Sequence, residues 1–221
     1  MSTSTNCRIK RGKPPKKKFT DNTYKKAKPY LLRDFQRRCA YSQQHTDRSL
    51  GERTMEIDHF NPLLSGLKRH KYENLFLATR HCNGAKSDTW PTKIARDKGI
   101  RFLNPCEEND YGVHLFEHPV THRLIGITPA GDFHITVCDL NATQFVNERA
   151  DRAKIYDLLQ NTPVTPTHKS KNGEVLEPIK LLREQFEKMI PLIAYLSSDH
   201  PKYQEELDVI HACSHYPSSA S

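Results

Sequence analysis

Asp58 and His59 stand side by side in the run EIDHFNP (56–62), an amide follows at Asn74, and CNGAK fills 82–86. A carboxylate, an imidazole, two amides and an ammonium are suited to hydrolysing a phosphodiester. A water must lose a proton, and negative charge must be met on the phosphorus centre and on the leaving oxygen. Neutral imidazole, with an ordinary pKa near ~6.5, can take that proton at neutral pH. A divalent cation can meet the charge as a Lewis acid. Hard cations take oxygen ligands, and Asp58 and Asn83 each offer one. Taken singly, the pieces have plain explanations: a surface pair at a strand end, a turn residue, a helix cap. Together and in this order they point to a site.

For these side chains to meet, the chain must fold as strand, loop, strand and helix. TMEIDHF alternates and reads as a strand, and NPLLSGLKRHKYE (61–73) reads as a long loop. NLFLA (74–78) reads as a second strand, and RHCNGAKSD (80–88) starts a helix that Pro91 limits. Neighbours in a regular strand point to opposite faces. Asp58 and His59 can both face Asn83 only if the strand ends or twists at His59, and Pro62 fits such a break.

Upstream, YLLRDFQRRC (30–39) reads as a short amphipathic helix and 43–53 as a polar loop. Downstream, GVHLFEHP, RLIGITP and DFHITVCDL read as three strands parted by turn residues. Residues 141–160 read as a helix with Asn141 as N-cap, 161–174 as an exposed loop, 176–197 as an amphipathic helix kinked at Pro191, and 202–213 as a last helix. His114, His118, His122 and His134 show no ligand spacing and are expected at surface or turn positions. His211 and His215, beside the C-terminal tail, are expected to be exposed. Phe76 and Trp90 are expected in the core.

The set DHxxP at 58–62, Asn-Leu at 74–75 and Cys-Asn-x-x-Lys at 82–86 resembles the HNH endonuclease family over residues 30–105. The resemblance implies a ββα-metal core with Asp58 and Asn83 as ligands of Mg²⁺ or Mn²⁺ and His59 as general base. Asn74 then braces the loop or orients that histidine. Lys86, on the same helical face as Asn83, is assigned to phosphate contact or transition-state charge, and His81 is an alternative metal ligand. Many members also carry a structural zinc in two CxxC pairs. Here those pairs read Cys39–Ser42 and Thr79–Cys82. Ser and Thr are poor zinc ligands, so a degenerate, lost zinc site at Cys39 and Cys82 is favoured over one completed by His81 or His45. The wider stretch YENLFLATRHCNGAKSDTWP with FLNPCEENDYG resembles HNH subunits of bacterial anti-phage defence, of the Septu and retron-associated types. That implies a complex with an SMC- or ABC-type ATPase, docked on 111–215. The helix at 176–197 could equally pack on its own domain.

The chain of 221 residues has a net charge of +8. Residues 1–29 hold ten basic residues and one acid, Asp21, a net of +9 that leaves −1 for the rest. Such a segment is expected to be a disordered arm that attaches to nucleic acid, with Lys16, Lys17 and Lys18 as contacts. No apolar run is long enough to span a membrane, no secretory leader is visible, and six scattered cysteines suit a reducing cytoplasm. The expected class is α+β: a basic tail (1–29), an HNH core (30–105), a β-hairpin with a mostly helical region (106–215) and a short tail (216–221). The leading function is a metal-dependent DNA endonuclease, the effector of a defence complex. A stand-alone restriction or homing-type nuclease and a non-cleaving nucleic-acid-binding module are the alternatives.

Overall fold

A computed structural model of the chain describes residues 9–16, 18–107, 112–161 and 193–214. It is a mixed α+β structure with two small antiparallel sheets. Helix α1 (Lys28–Asp34) buries Leu31 and Leu32. It ends earlier than the apolar pattern predicts, because Gln36 and Arg37 take left-handed φ values of 50° and 59°. Strand β1 (Met55–His59) pairs with β2 (Leu75–Thr79) in register from Met55–Thr79 to His59–Leu75. The loop between them contains the single-turn helix α2 (Gly66–Arg69). Helix α3 (Arg80–Lys86) follows β2 directly. Thr79 caps it, its hydroxyl accepting from the N–H of Cys82. The helix stops at Ser87, which takes φ 47°, before Pro91 is reached.

After α4 (Lys93–Asp97), β3 (Leu115–Glu117) and β4 (Leu124–Gly126) form the second sheet. The segment expected as a third strand is instead helix α5 (Pro129–Val137). Thr128 accepts from the N–H of Gly131 and Pro129 opens the first turn, a strong helix start that outweighs the β-branched content. Asn141 does not cap α6 (Thr143–Asn161). Its amide pairs with both backbone groups of Leu124, at 2.7 and 2.9 Å. The predicted helix over 176–197 falls largely outside the described residues. Its last part, from Ile193, is extended: Glu117 donates its N–H to Ala194 O and accepts from the N–H of Leu196. Helix α7 (Pro201–Ser214) is placed as expected. His215 lies outside the described residues, as do the side chain of His211 and residues 216–221.

One hydrophobic cluster runs from Ile9 through Leu31, Phe76 and Leu103 to Leu140 and Ile193. It crosses the boundary expected near residue 105. His118 and His134 are fully buried within it, not at the surface. His134 Nδ1 accepts from the N–H of Leu103, and His118 Nδ1 accepts from Val120 and Thr121. Phe76 is buried and Trp90 packs against the same cluster. Among the described residues no helix is long and apolar enough to cross a membrane.

The described part of the basic segment is not a free arm. Ile9 and Phe19 are buried, and the N–H of Ile9 bonds Pro105 O at 2.8 Å. Arg11 donates to Tyr72 O and Leu75 O, and its guanidinium lies 4.7–5.3 Å from the rings of Phe35, Tyr72 and Phe76. Charge composition hid a few inward residues that anchor the segment. Lys16 and Lys18 stay exposed, and Lys17 lies outside the described residues. Arg11→Ala removes two hydrogen bonds to backbone carbonyls and three ring contacts. It should lower stability by about 1–3 kcal/mol in urea unfolding. A loss below about 0.5 kcal/mol would mean that the segment is not anchored there.

Candidate active site

Strand β1 has α3 packed against one side, and the alternation of its side chains sorts the chemistry. Glu56 and Asp58 reach α3, whereas His59 reaches the N-terminal segment and α2's flank. Asp58 is buried. Its Oδ1 accepts from Lys86 Nζ at 3.0 Å and its Oδ2 from the hydroxyl of Tyr41. Burial pushes the carboxyl of Asp58 above its usual range, and it outweighs the opposing pull of Lys86 and Tyr41. Lys86 also donates to His59 O at 3.0 Å and lies over Phe102. It is 0% exposed, so it is not the phosphate contact expected from its helical face. Its position fixes the carboxylate instead.

Asn83 donates its Nδ2 to Glu56 Oε2 at 2.7 Å. That bond, joined by Arg80, holds Glu56 below the usual carboxylate range. The Oδ1 of Asn83 accepts no hydrogen bond from the described residues. Asn74 braces the loop: its Oδ1 accepts from the N–H of Asn61, and its Nδ2 donates to Asn61 O and Arg69 O. It does not orient His59. His59 Nε2 lies 3.1 Å from His70 Nδ1, and His70 Nε2 lies 2.6 Å from Asp21 Oδ1. Nothing in the spacing of the sequence pointed to Tyr41, His70 or Asp21. Asp21, the lone acid of the basic segment, was the one visible anomaly.

The strand does not break at His59. It stays paired there, and Phe60 continues by donating to Asn74 O. The expectation that Asp58 and His59 turn onto one face is therefore overturned. Both nevertheless line a single cleft of about 270 Å³ with Asn83, Arg69 and Asp88. A cavity of about 480 Å³ lies nearby, walled by Pro14, Pro15, Phe19, Leu67 and Tyr72. Of the two, the smaller cleft is the one lined by all three of Asp58, His59 and Asn83.

Among the described residues no group of three or more His, Cys, Asp and Glu side chains is placed to hold a metal. A sparser site would have to draw on Asp58, whose two oxygens already accept from Lys86 and Tyr41, and on Asn83. Asp58 retains lone pairs beyond the two in use, since a carboxylate offers about four acceptor positions. Asn83 Oδ1 is a second hard oxygen, and Mg²⁺ is commonly held by one or two protein oxygens with water and phosphate filling the rest. His81 turns away to Asp139 and Gln144.

Cys39, Ser42, Thr79 and Cys82 do come together. Cys39 Sγ accepts from the N–H groups of Tyr41 and Ser42 and from the Thr79 hydroxyl. Burial pushes the Cys39 thiol up, but hydrogen bonds from Cys82, Ser42 and Thr79 together bring it to about 6. Burial pushes Cys82 well up.

In comparisons with known proteins, no family model, no curated protein and no solved structure matches the chain.

Two measurements test this geometry. Lys86→Met leaves Asp58 buried beside no cation and should cost roughly 3–5 kcal/mol in urea unfolding. A cost under about 1 kcal/mol would mean that the pair is not structural. Burial lowers the pKa of His59, and the charges of Arg69, His70 and Lys86 lower it further, to about 4. Between an unfolded value of ~6.5 and this folded value the unfolded chain binds more protons. The group's contribution to stability therefore falls as pH drops through that window. An NMR titration should place the His59 midpoint near 4. A midpoint at the ordinary value would contradict the burial.

Proposed function

We propose that the chain is a metal-dependent endonuclease of the HNH type that hydrolyses phosphodiester bonds in DNA. The observation that carries this reading is that Asp58, His59 and Asn83, though on different faces of β1 and α3, all line one cleft. The order of β1, β2 and α3, with the loop braced by Asn74, supports it. Asp58 and Asn83 would hold a divalent ion, which supplies positive charge to the phosphate as negative charge builds. His59, unprotonated at neutral pH, takes a proton from the attacking water. The water oxygen bonds to phosphorus, the phosphorus–oxygen bond to the leaving strand breaks, and that oxygen gains a proton from solvent. Lys86 and Tyr41 hold Asp58 in place, and Arg69 at the cleft rim offers charge to the phosphate.

The wider resemblance extends the proposal to a nuclease subunit of an anti-phage complex with an ATPase partner. Within the segment proposed for docking, 111–215, residues 162–192 lie outside the described residues.

A second reading has its own support. Both oxygens of Asp58 are engaged, and the strand continues through His59, as suits a nucleic-acid-binding module that does not cut. Nicking of supercoiled plasmid with Mg²⁺ or Mn²⁺ separates the two. His59→Ala should reduce the rate by about 10²–10⁴-fold, the usual range for a general base. Asn83→Ala should raise the metal concentration needed. Equal cleavage by wild type and His59→Ala sinks the nuclease reading.

A further inference from the structure

The imidazole of His59 is oriented by a chain of groups from two distant segments. His59 Nε2 meets His70 Nδ1 at 3.1 Å, and His70 Nε2 meets Asp21 Oδ1 at 2.6 Å. His70 is only 4% exposed, so its ring is fixed by its surroundings. Tyr24 stacks on it at 5.3 Å and 27°, and also packs on His59 at 5.1 Å. The direction of the chain follows from donor chemistry. A carboxylate oxygen accepts, so His70 Nε2 carries the proton. If each ring carries a single proton, His70 Nδ1 accepts and His59 Nε2 donates. That leaves His59 Nδ1 bare, and it accepts no hydrogen bond from the described residues.

We propose that His70 and Asp21 are positioning residues that hold His59 in its Nε2–H tautomer with Nδ1 turned to the cleft as the proton acceptor. Its catalytic meaning rests on the nuclease reading above. When Nδ1 takes the proton of water, the Nε2–H bond to His70 is kept and no proton passes to Asp21. The basic N-terminal segment thereby supplies a working part of the site: its one acid completes the chain, and Tyr24 clamps both rings. A histidine held in the wrong tautomer presents a proton where a lone pair is needed, which is costly for a general base.

The test uses the full chain labelled with ¹⁵N on histidine. Long-range ¹H–¹⁵N spectra at neutral pH should show His59 as the Nε2–H tautomer. His70→Phe should mix the tautomers and lower kcat for plasmid nicking by about 10–100-fold, with KM changed by less than about twofold. His70→Asn, whose amide oxygen can accept in place of Nδ1, should recover part of the rate. Asp21 is largely exposed, so Asp21→Ala keeps the fold and should shift the tautomer in the same direction by a smaller amount. A wild-type Nδ1–H tautomer, or spectra and rates unmoved by both His70→Phe and Asp21→Ala, would overturn the proposal and leave the nuclease reading standing. An intact Nε2–H tautomer that responds to both variants, in a protein that nicks nothing, supports the tautomer assignment and overturns the nuclease reading with its catalytic consequence.

Discussion

An ammonium with no access to water holds the centre of this molecule. Removing a lysine from solvent is expensive, and it is tolerated only where partners replace the water. Lys86 finds three: the carboxylate of Asp58, the carbonyl of His59 and the face of Phe102. The hydroxyl of Tyr41 closes the other side of Asp58. These contacts tie the end of α3 to β1, to the turn after Cys39 and to the segment entering the second half of the core. Losing either member of the Lys86–Asp58 pair leaves the other charge buried without its counter-charge. The pair therefore contributes more to defining how α3 sits on β1 than to net stability. The placement of Asn83 and of the Asp58 carboxylate follows from it.

The local elements were legible where one physical signal dominated. The alternation in TMEIDHF and the apolar run NLFLA gave β1 and β2, the latter one residue early, and the cap at Thr79 begins α3 where the sequence placed a helix. Competing signals produced the misreading of α5: Ile135, Thr136 and Val137 favour a strand, while Thr128 and Pro129 start a helix, and the start won. The candidate triplet Asp58, His59 and Asn83 was visible as spacing. The groups that hold it were not. Tyr41, His70 and Asp21 contribute through contacts between residues far apart in the chain, and no periodicity records such contacts. Lys86 was visible as a residue but not in its role, because burial is decided by what folds over it. The basic segment misled for a related reason: its many charges face water, while Ile9, Arg11 and Phe19 face in.

Around Cys39 two segments meet through shared hydrogen bonds. Thr79 serves both as the cap of α3 and as a hydrogen-bond donor to sulfur. Backbone N–H groups of Tyr41 and Ser42 point at the same sulfur. Apolar packing around Phe35, Phe76 and Leu77 surrounds the junction. Cohesion here comes from many small contacts distributed over a core.

The attachment of residues 9–21 has a consequence in time. Its partners, His70, Tyr72, Leu75 and Pro105, all come later in the chain. A ribosome delivers Asp21 well before the histidine it meets, and closing so long a loop yields nothing until both ends exist. A segment that leaves the ribosome before its partners is thus secured only after them. The histidine pair gains its carboxylate only after the far side of the core has left the exit tunnel.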